Sequence, residues 1–118
     1  MSETEKLTYT NFVIACKKIA KEIPSNITGL YGVPRGGLIP AVYLSHITKL
    51  PLVDKPGKNV LIIDDIADTG NTLLDLKLHM SISHFKAMTI YYHKQSIIEP
   101  EFWVYEKEDK WIQFPWEL

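Results

Sequence analysis

The sequence predicts an α/β fold, with a mainly parallel central sheet flanked by helices and a short C-terminal hood. Three observations point there. Strand-like and helix-like patterns alternate along the chain, joined by Gly- and Asp-containing turns. The run "NVLIID", residues 59–64, is continuously aliphatic between its polar ends, as in a strand buried on both faces. All three tryptophans fall in the last sixteen residues, where the alternation stops.

The elements follow in order. Phe12, Ala15, Cys16, Ile19, Ala20 and Ile23 recur at three- and four-residue steps, so Tyr9–Ile23 is an amphipathic helix. Thr8 or Thr10 can cap it, and Pro24 stops it. "NITGLYGV", residues 26–33, reads as a short buried strand weakened by Gly29 and Gly32, and "PRGG" as a turn. "LIPAVYLSHIT", residues 38–48, reads as a helix with Pro40 tolerated in its first turn. "KLPLVDKPGK" is connector, with at most a short strand near Leu52. After the central strand, a helix over residues 71–83 would place Leu73, Leu74, Leu76, Leu78, Met80 and Ile82 on its apolar side, and "KAMTIYYH", residues 86–93, is another strand.

Composition narrows the function classes. A chain of 118 residues is expected to be one domain. The net charge of −1 gives no electrostatic case for nucleic acid or an anionic membrane. No stretch reaches the length of a membrane span, "MSETEKLTYT" lacks the regions of a signal peptide, and the lone Cys16 cannot form an internal disulfide, so a cytoplasmic protein is expected. Cys16 reads as a small core residue.

The chemistry concentrates in two turns. In "DDIADTGNT", Thr69, Gly70, Asn71 and Thr72 lead into a helix, where free amides, hydroxyls and the positive helix end suit a phosphate. Asp64, Asp65 and Asp68 just upstream would repel a bare phosphate. The conflict resolves if the ligand also carries a polyol or a divalent cation. The other turn, "VPRGG", holds the only arginine, Arg35, beside Gly36 and Gly37, a second anion site suited to a diphosphate. Each turn taken alone has a plainer reading, as a helix cap and as a surface turn. Together they describe a ligand with phosphates at both ends of a ribose.

"VLIIDDIADTGNTL" resembles the phosphoribosyl pyrophosphate signature of the type I phosphoribosyltransferases. "YGVPRGGLIPAVYLS" resembles the pyrophosphate loop and next helix of the family's xanthine-guanine branch, and "WIQFPWEL" its C-terminal segment. The resemblance implies transfer of a 5-phosphoribosyl group to guanine, xanthine or hypoxanthine in purine salvage, with Mg²⁺ as cofactor and a homodimer or homotetramer as the assembly. Asp64 and Asp65 would hold the ribose hydroxyls and the metal, and Asp68 would act as general base. Ala67, Asp68, Thr69, Gly70, Asn71 and Thr72 would wrap the 5′-phosphate. Arg35, Gly36 and Gly37 would contact pyrophosphate, with a cis peptide between Pro34 and Arg35. Lys94 would donate to the purine's exocyclic oxygen, Trp111 would stack on the base and the Ile112 backbone would read its edge, within a hood of about residues 95–118. Without the resemblance, Lys94 reads as a solvated strand-end lysine and the tryptophans as core or interface caps. The family carries a strand and a long flexible lid before the signature strand, where this chain has only "VDKPGK". That shortfall motivates a second reading, a catalytically weak protein that binds phosphoribosyl pyrophosphate or a nucleotide.

Overall fold

The computed structural model describes residues 3–117. In chain order the elements are β1 (Thr4–Lys6), α1 (Tyr9–Glu22), β2 (Gly29–Gly32), α2 (Leu38–Thr48), β3 (Val60–Ala67), α3 (Asn71–Leu78), a 3₁₀ turn (Ile82–His84), β4 (Ala87–His93), β5 (Phe102–Lys107) and β6 (Trp111–Gln113). Strands β2-β3-β4-β5 form one sheet in that order, every pair parallel. The segment around Leu52 adds a single bridge to Leu30 at the β2 edge.

Thr8 caps α1 by accepting from the Asn11 amide at 3.1 Å, and the chain turns extended at Ile23, before Pro24. The buried stripe Phe12, Ala15, Cys16 and Ile19 packs with Leu44, Leu61, Ile63 and Ile90 in the main core. Cys16 is inside it, and burial pushes its thiol up to about 12, so it stays a neutral packing group. The opposite face of the sheet is thinner: Val33, Ile62, Leu73 and Ala87 gather there under α3.

Helix α3 is shorter than the periodicity suggests. It ends at Leu78, His79 takes a non-helical conformation, and the Ser81–His84 turn follows, closed by the His84 amide on the Ser81 carbonyl at 2.8 Å. Leu78 is 72% exposed, so it does not join the apolar side assigned to it, and the side chain of Ile82 lies outside the described residues.

Two pairings had no periodic signal. Phe102–Lys107, within the stretch read as hood, is the fourth strand of the main sheet. Strands β1 and β6 form a separate parallel ladder that pairs Thr4 with Trp111 and Lys6 with Gln113. The Tyr91 hydroxyl donates to Glu5 Oε2 at 2.9 Å and ties this ladder to the core. Tyr91→Phe is expected to cost about 1.5–3 kcal/mol, the worth of a hydrogen bond to a carboxylate, measured by urea unfolding.

Candidate active site

The site lies at the carboxyl ends of β2 and β3, where the topology of an open parallel sheet places it, and takes in the last residues of β3 itself. A regular strand would send Asp64 and Asp65 to opposite faces. Here both line one cavity of about 270 Å³. The alternation resets at that point. Leu61 and Ile63 pack into the main core with Ile62 on the other side, yet Ile66 also packs against the main core, three positions after Ile63. The Asp65 amide donates to Asp64 Oδ1 at 2.8 Å across the irregularity. The two aspartates therefore sit inside β3 rather than after it.

Their electrostatics are strained. Asp64 is 8% exposed, and burial together with the Asp65 charge pushes its carboxyl up to about 8. Burial also raises Asp65. The folded chain thus holds a proton on Asp64 between about pH 4 and 8 that the unfolded chain gives up. This group's contribution to stability is full below the unfolded value and is lost as pH rises through that window. Asp64→Asn is expected to abolish that decline and to exceed the native chain's stability at pH 8 by more than about 1 kcal/mol. Urea unfolding of both chains at pH 5 and pH 8 checks it.

The phosphate-type turns stand on either side. Gly70 has φ 86°, and a Cβ on it would come within 2.5 Å of Ser96 Oγ and 2.9 Å of the Ile97 and Ile98 nitrogens. Only glycine lets Thr69–Thr72 fold over the cavity while the 95–98 segment packs behind it. The Leu74 amide closes on the Gly70 carbonyl at 2.9 Å and the Asn71 amide on Thr69 Oγ1 at 3.3 Å, and the first-turn residues Asn71, Thr72 and Leu73 of α3 line the cavity. Ala67 is buried in the wall. On the other side Pro34 and Gly36 line the cavity, with Arg35 exposed between them, and the Pro34–Arg35 peptide is cis. A Cβ on Gly36 would run into the Asp65 carboxylate, so this turn and the acidic pair are in direct contact. Gly37 is buried behind the turn, against the Val33 and Ile63 backbone.

A second cavity of about 180 Å³ shares Asp65, Ile66 and Asp68 with the first and is walled by Trp111, Ile112 and Phe114. Trp111 is 64% exposed, while the Ile112 side chain is buried in the main core. Lys94 does not reach either cavity. It is exposed and pairs with Glu106 at 3.5 Å. The cation that does line the second cavity is Lys107, whose side chain is nearly buried and lies 3.4 Å from Asp68 Oδ1. His93, beside Lys107 across β4 and β5, places Nδ1 3.2 Å from the same oxygen and Nε2 3.2 Å from Asp109. Its Nδ1 is buried and makes no well-aligned hydrogen bond despite that approach. The Gln95 amide also reaches Asp68 Oδ1, at 3.3 Å.

Sequence reasoning missed Lys107, His93 and Glu117, the last of which also lines the second cavity. Lys107 sits in "EKEDK", which looks like a solvated charge run, and only its pairing opposite His93 turns it inward. His93 gave a weak signal as the last residue of an apolar strand.

Asp64 and Asp65 form an oxygen-only donor pair whose burial and mutual repulsion a divalent cation would relieve. Among the described residues no group of three or more His, Cys, Asp or Glu makes a metal cage. One or two carboxylates, completed by oxygens of a phosphorylated ligand, is the set that suits Mg²⁺.

Residues 42–118 match the phosphoribosyl transferase domain. The chain belongs to this family. With the family comes the enzyme class, a phosphoribosyltransferase. A xanthine-guanine phosphoribosyltransferase of Idiomarina loihiensis is 28% identical to this phosphoribosyltransferase over 117 aligned residues, covering 76% of this chain and 71% of the relative. An alignment that long over so much less of the present chain means that the relative carries residues inside the match which are missing here. The crystal structure of a purine phosphoribosyltransferase from Pyrococcus horikoshii is 30% identical, covers 98% of this chain and 95% of its own, and superposes with a TM-score of 0.82. The Helicobacter pylori xanthine-guanine-hypoxanthine phosphoribosyltransferase gives a TM-score of 0.84 with 98% and 95% coverage, and at 19% identity it speaks for the fold alone. No helix among the described residues of this phosphoribosyltransferase is long and apolar enough to cross a membrane.

Proposed function

We propose that this phosphoribosyltransferase transfers the 5-phosphoribosyl group of phosphoribosyl pyrophosphate to a 6-oxopurine, guanine, xanthine or hypoxanthine, as a step of purine salvage. The observation that carries the reading is the convergence of Asp64, Asp65, Gly36 and the Thr69–Thr72 turn on one cavity. Thr69, Gly70, Asn71 and Thr72, with Ala67 behind them, would hold the 5′-phosphate. Arg35, Gly36 and Gly37 would hold the pyrophosphate, and the two buried carboxylates would take the ribose hydroxyls and a Mg²⁺ ion.

As the bond from C1′ to the pyrophosphate oxygen breaks, positive charge grows on the sugar beside Asp64 and Asp65. Asp64 would lose its proton once Mg²⁺ is bound, so that both groups face the sugar as carboxylates and stabilise that charge. The purine ring nitrogen forms the new bond to C1′, and Asp68 takes the proton that the nitrogen sheds. Mg²⁺, when bound, supplies charge neutralisation at the departing pyrophosphate. Trp111 offers its exposed face for stacking, the Ile112 backbone reads the edge of the base, and Lys107 takes the role of donor to the exocyclic oxygen that the sequence assigns to Lys94. The chain is read as one domain, in which the hood of about residues 95–118 shares β5 with the sheet. A homodimer or homotetramer is the assembly favoured by the exposed Leu38, Val42 and Ile47 of α2.

The short connector between Val53 and Val60 favours one rival, a binding protein with little turnover. Purified chain with Mg²⁺, phosphoribosyl pyrophosphate and each base separates the two. Formation of nucleotide and pyrophosphate supports the enzyme. Nucleotide binding seen by calorimetry, with no product from any base, supports the rival.

A further inference from the structure

We propose that a cavity at the amino ends of β2, β3 and β4 binds a small molecule by its phosphate group, through Lys58 and Lys86. The inference goes beyond the transfer reading and uses none of its residues. In a parallel sheet the loops that enter successive strands gather at one end, opposite the end that carries the acidic pair. Asn26 stands before β2, Lys58 and Asn59 before β3, and Ser83, His84 and Lys86 before β4. Together they line a space of about 260 Å³, close in size to the acidic cavity and sharing no residue with it.

Charge separates this space from the rest of the surface. The chain carries 14 acidic residues against 13 lysines and arginines, yet among the described residues no Asp or Glu lines this cavity. The lysine ion pairs among the described residues are those of Lys94, Lys107 and Lys110, so Lys58 and Lys86 keep their charges uncompensated. Lys86 also borders a smaller cavity with Glu22 and Glu101, and it pairs with neither. Two ammonium groups facing one space repel each other. An anion between them turns that repulsion into attraction.

The backbone that carries these groups is fixed. The Val60 amide closes on the Gly57 carbonyl at 3.2 Å, which makes a turn with Lys58 and Asn59 at its centre. Asn59 sits at φ 60°, uncommon for a residue with a side chain. Its carbonyl accepts from the Thr28 amide at 2.8 Å, and its Oδ1 accepts from Asn26 Nδ2 at 3.4 Å. Among the described residues that leaves Asn59 Nδ2 as the free donor. The His84 amide closes its own turn on Ser81, and the Lys86 carbonyl is engaged by the Ile62 amide at 2.9 Å. Ammonium, amide, hydroxyl and imidazole groups therefore come from three loops rather than one. That set suits the several oxygens and near-double charge of a phosphate better than the single charge of a carboxylate.

The test is a residue-resolved NMR titration of the full chain with inorganic phosphate, and separately with uridine monophosphate, at constant ionic strength. Saturable shifts are expected at the Lys58, Asn59 and His84 amides, distinct from any at Thr69–Thr72. The double variant Lys58→Gln, Lys86→Gln is expected to weaken binding at these amides about tenfold, with the response at Thr69–Thr72 unchanged. Asn59→Gly keeps the turn, since glycine accepts that φ, and is expected to weaken binding about threefold. Melting curves verify that both variants fold, and Asn59→Gly decides the matter alone if the double variant does not. Tighter binding of the nucleotide than of inorganic phosphate identifies a phosphate ester as the ligand, and equal binding identifies free phosphate. Failure to saturate these amides with either probe up to about 20 mM overturns the proposal. So does an affinity unchanged within about twofold in the double variant. Silence at Thr69–Thr72 alone counts against the transfer reading and leaves this cavity's result standing.

Discussion

Asp68→Asn is expected to lower kcat by about 10²–10⁴, the range for loss of a positioned general base, with a much smaller change in KM for phosphoribosyl pyrophosphate. Asp68 is the right place for so large an effect. Its Oδ1 is approached by Lys107, His93 and Gln95, so the carboxylate is aimed before a base arrives. Asparagine retains the size and an acceptor oxygen but cannot take a proton. Single-turnover mixing with guanine separates chemistry from product release and checks the prediction. Because the Asp68 side chain is 43% exposed, the fold loses little, and an unaltered circular dichroism spectrum is the accompanying expectation. A variant with native kcat removes Asp68 from the proton transfer.

The largest effect on stability is expected at Gly37→Ala, about 3 kcal/mol. A Cβ there would collide with the Ile63 carbonyl oxygen and lie 2.8 and 2.9 Å from the Val33 nitrogen and oxygen. All three atoms are backbone, pinned in turn by the Val33 amide on the Ile63 carbonyl and the Gly37 amide on the Val33 carbonyl. Nothing flexible can give way, so the cost falls at the high end for overpacking. Gly57 is the control, with no atom within 4 Å of an added Cβ, and Gly57→Ala is expected to stay within about 0.5 kcal/mol of the native chain. Guanidinium unfolding of the two variants side by side measures the contrast.

What could be read from the chain, and what could not, divides along the range of the interaction. Helix α1, the strand through Leu61–Ile63 and the cradle at Thr69–Thr72 are local, each written in a few consecutive residues. The acidic pair was visible, but its placement within β3 was not, because period two forbids both carboxylates on one side unless the strand is irregular. Strand β5 was hidden by its charges: Glu106 and Lys107 look like surface, and an edge strand tolerates them. Lys107 could not be separated from Lys94 without knowing that His93 and Lys107 are cross-strand neighbours. The β1–β6 ladder is three residues long on each side and joins segments more than a hundred positions apart, beyond the reach of any periodicity.

That ladder has a consequence for handling the protein. The Trp111 amide is tethered to the Glu3 carbonyl and the Leu7 amide to the Gln113 carbonyl, so one wall of the second cavity, the one proposed to take the base, is latched to the segment of β1. The cradle at Thr69–Thr72 has no such dependence, being built from β3 and α3. Protease trimming of the first strand, or a bulky fusion pressed against it, is expected to loosen the cavity walled by Trp111 and Ile112 while sparing the one under the Thr69–Thr72 turn. On the proposed reading, base affinity and phosphoribosyl pyrophosphate affinity would then respond separately to such a change.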